Sequence, residues 1–139
     1  MNEKKEIRWK QRFVNFEKAY LSLVKSHEAW KGDPENDFIQ DSIILRYEYT
    51  LELAWNTMKD YLENEGFMDV SSPKKAIRKA FGEHVIQDGP AWMVALDDRN
   101  KTSHAYDENM AKEVIESIIE QHILIFRDFY LYMKKETDE

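Results

Sequence analysis

The chain has 139 residues, 27 acidic and 20 basic side chains, a formal charge of −7 and no cysteine. Disulfides, thiolate metal sites and cysteine nucleophiles are therefore excluded, and 42% hydrophobic with 13% aromatic residues is the composition of a folded domain, not of a disordered acidic tail. No apolar run approaches the ~20 residues that span a bilayer, and the charged start from Met1 to Arg12 has no signal-peptide stretch, so the expectation is a soluble, cytoplasmic protein without membrane contact.

The few glycines and prolines fall in clusters separated by long uninterrupted stretches, a spacing that favours helices. Trp9, Phe13, Phe16, Tyr20 and Leu23 recur at intervals of four and three and predict a helix from about Arg8 to Trp30, ended by Lys31-Gly32-Asp33-Pro34. Ile44, Tyr47, Leu51, Ala54, Met58 and Tyr61 predict a second, from Asn36 or Phe38 to Glu65, with Gly66 as its stop. Ser72 followed by Pro73 is a cap with proline at the first helical position and opens a short helix to about Phe81. Asp88-Gly89-Pro90 opens another of about three turns that ends near Asn100. The last helix is predicted from Asp107 to Lys134, with Ala111, Ile115, Ile118, His122, Ile125, Phe129 and Tyr132 as one stripe.

No segment alternates as a strand does. The expected fold is all-α: an antiparallel up-and-down bundle, four-helix-bundle-like, of five helices including two short ones, in a single domain over 1–139 with residues 1–10 as a flexible arm. The second helix, roughly 45 Å long at 1.5 Å per residue, exceeds what one domain of this size needs and offers a surplus face for a dimer.

There is no Gly-rich phosphate loop, His-Glu-x-x-His or calcium loop, and no histidine has a glutamate three positions before it, so neither a metal site nor a cofactor is expected. The chemistry gathers in one polar segment, Asp97 to Asp107. Arg99, at a helix end, is a permanently charged planar donor suited to phosphate oxygens, and His104, near the next helix start, can exchange a proton near neutrality. Metal-free cleavage of an RNA phosphodiester needs these two abilities. Taken by spacing alone, the same two residues also fit helix capping and surface exposure.

Arg99, His104 and Tyr106 form an Arg-x4-His-x-Tyr pattern that resembles the HEPN superfamily (higher eukaryote and prokaryote nucleotide-binding domains). Within it the chain is similar to the nucleotidyltransferase substrate-binding-protein family, whose HepT-like members are toxins paired with a small nucleotidyltransferase. Arg46 to Trp55, Lys59 to Leu62, Ser72 to Arg78 and Asp97 to Tyr106 all carry the likeness, which extends from about Gln11 to Leu131. The resemblance implies a homodimer with two Arg-His pairs across its cleft, metal-independent RNA cleavage to a 2′,3′-cyclic phosphate, and a neutralising nucleotidyltransferase that transfers AMP to Tyr106. In that scheme Arg99 and His104 are catalytic, and Asn100, Lys101 and Tyr106 position phosphate. Two other readings stay open: a non-catalytic subunit that binds a nucleotide or other substrate for the nucleotidyltransferase, and a purely structural neutraliser.

Glu48 and Glu52, four apart on the second helix, fit an ion-pair network with Arg99 or Lys59 and, through it, orientation of the arginine. Lys74, Lys75, Arg78 and Lys79 make a basic face: residues 74–84 hold four basic and one acidic side chain, +3 in a chain of −7. That face is either solvated or a contact for RNA backbone or a partner. His122, on the last apolar stripe, is expected in the interior or at a dimer interface, and His27 and His84 at helix ends.

Overall fold

The computed structural model describes residues 3–102 and 108–138. Helix α1 is Glu3–Gly32, α2 Asp37–Asn64, α3 Pro73–Gly82, α4 Gly89–Lys101, α5 Glu108–Ser117 and α6 Ile123–Thr137, with a π-helical turn, Ile118–His122, joining the last two. No strand occurs among the described residues.

The caps read from the sequence perform that task. Asn36 Oδ1 accepts from the backbone N–H groups of Phe38 and Ile39 at 2.9 and 3.2 Å, satisfying two donors that the first turn of α2 leaves open. Ser72 does the same for Lys75, ahead of Pro73, and Asp88 for Ala91 at 3.0 Å, ahead of Pro90. Gly66 takes a φ of 96°, the left-handed conformation that lets the chain turn away after α2.

Helices α1 and α2 run antiparallel along nearly their whole length, since Trp9 meets Tyr61, Arg12 meets Asp60, Ser22 meets Arg46 and Ser26 meets Ser42. Tyr47 packs on Phe126 while Tyr61 neighbours Tyr132, so α6 runs parallel to α2. Asp98 meets His122 and Trp92 meets Phe129, so α4 opposes the α5–α6 rod. The result is an up-down-up-down bundle in which α3 is a short insertion between α2 and α4. One continuous core runs through it, with Phe16, Tyr47, Trp92, Phe126 and Phe129 among its most deeply buried side chains. Each fully buried side chain of that size contributes on the order of 2–3 kcal/mol of apolar transfer.

Two expectations are corrected. The N-terminal segment is not an arm from Glu3 onward: it forms the first turns of α1, tied by the Glu6–Lys10 pair at 3.1 Å and by Trp9, which is buried edge-on against Tyr61 with ring centroids 5.1 Å apart. The last helix is not one regular rod. A π turn interrupts it, and beyond that turn Phe126 and Met133, outside the expected stripe, are fully buried together with the expected Phe129, while Ile125 and Tyr132 are only partly buried against the core. The expected helix start at Asp107 lies outside the described residues.

Candidate functional site

Arg99 sits in the last turn of α4, where the helix carries its side chain across to the middle of α2. Its Nη1 lies 3.0 Å from Glu48 Oε2 and donates to Thr102 Oγ1 at 3.2 Å. The Thr102 hydroxyl in turn donates to the Arg99 carbonyl at 2.6 Å, closing a small ring of contacts at the helix end. Both contacts fall on Nη1. The side chain keeps 39% of its surface exposed and Glu48 keeps 26%, so the pair stands at the rim of the bundle and not in its core. Its worth to stability is therefore small, but its geometric effect is direct: a flexible cation is held in one direction at a partly exposed rim.

Directly behind Arg99 the chain builds a buried polar cluster. Asp98 Oδ2 is 2.6 Å from His122 Nε2, and both side chains are nearly inaccessible. The imidazole stacks on the Tyr47 ring at 5.4 Å between centroids, and the Tyr47 hydroxyl donates to the Ala95 carbonyl on α4. Burial lowers the His122 pKa despite the opposing pull of the Asp98 carboxylate, and burial, reinforced by Asp98, raises that of Tyr47. A neutral ring donating from Nε2 to Asp98 fits this state, for Nδ1 is buried with no hydrogen-bond partner among the described residues and a proton there would be stranded. The π turn is the segment that carries His122 to Asp98, and such turns recur where a helix serves a specific local purpose.

The expected residues divide as follows. Glu48 meets Arg99; Glu52 instead accepts from Trp55 Nε1 at 3.1 Å and Asn56 Nδ2 at 3.4 Å on its own helix. Lys59 turns to Asp60 and Glu63, away from both. Asn100 is exposed on α4, and Lys101, also exposed, lies 3.5 Å from Asp98 Oδ1. His104 and Tyr106 lie outside the described residues. No cluster of three or more metal-ligating side chains occurs among the described residues, and no helix there is long and apolar enough to cross a membrane. Sequence reasoning missed Thr102 and the link from Asp98 through His122 to Tyr47. Its only sequence signals were a second aspartate beside Arg99 and a histidine on an apolar stripe.

Comparison with known proteins agrees with this architecture. The model of a family described as nucleotidyltransferase substrate binding protein like matches residues 11–135. A Haemophilus influenzae protein named "Probable ribonuclease HepT" is 27% identical over 141 residues, spanning 91% of this chain and 89% of its own. A solved structure from Haemophilus influenzae, described as revealing the fold of a substrate binding domain of a nucleotidyltransferase, superposes with a TM-score of 0.80 at 22% identity, covering 88% of this chain and 98% of that one. A crystal structure from Thermus thermophilus superposes with a TM-score of 0.69 at 27% identity, over 80% and 94% of the two chains.

Proposed function

The chain belongs to the nucleotidyltransferase substrate binding protein like family, and from that premise we propose that it is the homodimeric partner subunit of a small nucleotidyltransferase and a metal-independent ribonuclease of the HepT toxin type. The single observation that carries this reading is Arg99: its guanidinium is held through Nη1 by Glu48 at 3.0 Å and Thr102 at 3.2 Å, at a partly exposed rim of the bundle that a phosphate can approach. The likeness to a relative named as a ribonuclease supports the same chemistry.

In this mechanism the ribose 2′-oxygen attacks phosphorus as His104 takes its proton. Negative charge grows on the non-bridging oxygens, where the Arg99 fork stabilises it without rearranging, because Glu48 has already set its direction. The P–O5′ bond breaks and the leaving oxygen takes up a proton, giving a 2′,3′-cyclic phosphate and a 5′-hydroxyl. Asn100, Lys101 and Tyr106 hold the phosphate. AMP transfer by the partner from ATP to the Tyr106 hydroxyl, with release of pyrophosphate, would add an anionic, bulky group two positions along the chain from His104 and silence the site.

The test is RNA cleavage by the purified dimer in excess EDTA, with Arg99→Ala and His104→Ala beside wild type. Cleavage that survives EDTA and is lost in both variants is expected; cleavage stopped by EDTA, or undiminished in His104→Ala, overturns the mechanism. The family description itself favours a second reading, a non-catalytic substrate-binding subunit. That reading predicts no RNA cleavage but saturable nucleotide binding that Arg99→Ala abolishes.

A further inference from the structure

The basic residues of α3 take no part in the Arg99 site. Lys75, Arg78 and Lys79 line an open groove of about 700 Å³ between α3 and the segment that leaves α2, together with Phe67, Met68 and Asp69, while Lys74 stands outside that lining, one turn before Arg78 on the same helix. Two of the four cations are engaged: Lys75 with Asp69 at 2.8 Å and Lys79 with Glu83 at 3.5 Å. Lys74 and Arg78, exposed and four positions apart, have no ion-pair partner among the described residues. From Gly66 to His84 the chain carries four basic and two acidic side chains, a balance of +2, so the remainder of the molecule stands at −9.

Apolar surface accompanies this charge. Met68 is 87% exposed, and Phe67, partly buried against the core, carries the Lys79 ammonium 4.3 Å from its ring centroid. Gly66 and Gly82, which also line the groove, bring no side chain into it. A protein partner is normally anchored in a deep, well-packed apolar pocket, which this shallow and open groove does not offer. A positively charged track with apolar contacts, open along its length, is what a single nucleic-acid strand requires. Residues four apart on a helix have Cβ atoms about 5–6 Å apart, so Lys74 and Arg78 can meet neighbouring phosphates of one strand.

We propose that this groove is an auxiliary site for single-stranded RNA, holding the backbone of the substrate away from the point of cleavage. The inference rests on the ribonuclease reading for its purpose, though not for its test. Gly66 lies 18 residues beyond Glu48, roughly 27 Å along α2, so only an RNA longer than the cleavage site engages both.

The experiment is fluorescence anisotropy with a labelled single-stranded 2′-O-methyl RNA of about 20 nucleotides, longer than a typical single-strand site and uncleavable because its attacking oxygen is blocked. Wild type and Lys74→Gln/Arg78→Gln are titrated between about 50 and 200 mM salt, with thermal unfolding as the check that the variant is folded. Losing two phosphate contacts lowers the slope of log K against log salt by about 1.4 and weakens binding about 25-fold near 0.1 M salt. Unchanged slope and affinity, or no binding by wild type, overturns the proposal. A variant that binds RNA normally but no longer joins the nucleotidyltransferase also overturns it and makes the face a protein contact. Wild type that binds this strand without cleaving ordinary RNA leaves the groove standing and removes the ribonuclease reading alone.

Discussion

Replacing His122 with glutamine keeps a donor for Asp98 and removes a buried titratable group that packs directly behind the Arg99 site. In the folded chain burial holds the ring pKa below its ordinary 6.5, so around that pH the unfolded chain binds more protons than the folded one. Stability from this group is therefore complete above pH 6.5 and is lost as pH falls below it. Titration of the unfolded ring alone caps the loss between pH 8 and pH 5.5 at RT ln(1 + 10), about 1.4 kcal/mol. With an unfolding entropy of about 2.1 cal/mol/K per residue, that ceiling corresponds to a Tm lowered by roughly 5 °C. Calorimetry at the two pH values on wild type and His122→Gln reads the difference directly. His27 shifts in the same direction, through partial burial and Lys31, and the subtraction cancels it. Equal losses in both proteins, or a wild type that gains stability on acidification, would show a cationic ring paired with Asp98 and refute the neutral-histidine argument.

Glu48→Gln removes the charge that aims Arg99. Because both groups are partly exposed, it should cost at most about 1 kcal/mol of stability yet slow RNA cleavage roughly 10- to 100-fold, a split that kinetics beside a melting curve detects. Arg99→Lys should behave nearly as Arg99→Ala does in the same assay, since an ammonium keeps the charge but not the fork; near-wild-type cleavage by the lysine variant would contradict the assigned role. Phe126→Ala, at a fully buried position just beyond the π turn, should cost about 3–5 kcal/mol and lower Tm by roughly 10–17 °C. A loss below about 1 kcal/mol would mean that the register beyond His122 is wrong.

Local chemistry made most of the fold legible. Ser72-Pro73, Asp88 ahead of Pro90, and Gly66 act where capping rules place them, and the aromatic stripes of α1 and α2 are buried as their spacing requires. What the periodicity missed are effects of tertiary contact. Glu3 to Lys10 read as a charged arm because only Trp9 among them belongs to the stripe, and its partner Tyr61 lies on another helix. The π turn is invisible because the buried positions Ile118, His122, Phe126 and Phe129 keep ordinary helical spacing through it. At the site, Arg99 and the carboxylates of α2 could be placed on faces but not paired. That Glu48 and not Glu52 meets the arginine depends on how α4 crosses α2, a contact across 51 positions of sequence.

Cleavage of RNA by a fixed arginine and a histidine without a metal is tested most directly by the chemistry of the ends produced in excess EDTA. Fragments ending in 2′,3′-cyclic phosphate, with 5′-hydroxyl partners and absent from reactions with Arg99→Ala, are the predicted result. Fragments with 3′-hydroxyl and 5′-phosphate ends, or the same ends from the Arg99→Ala variant, would contradict it.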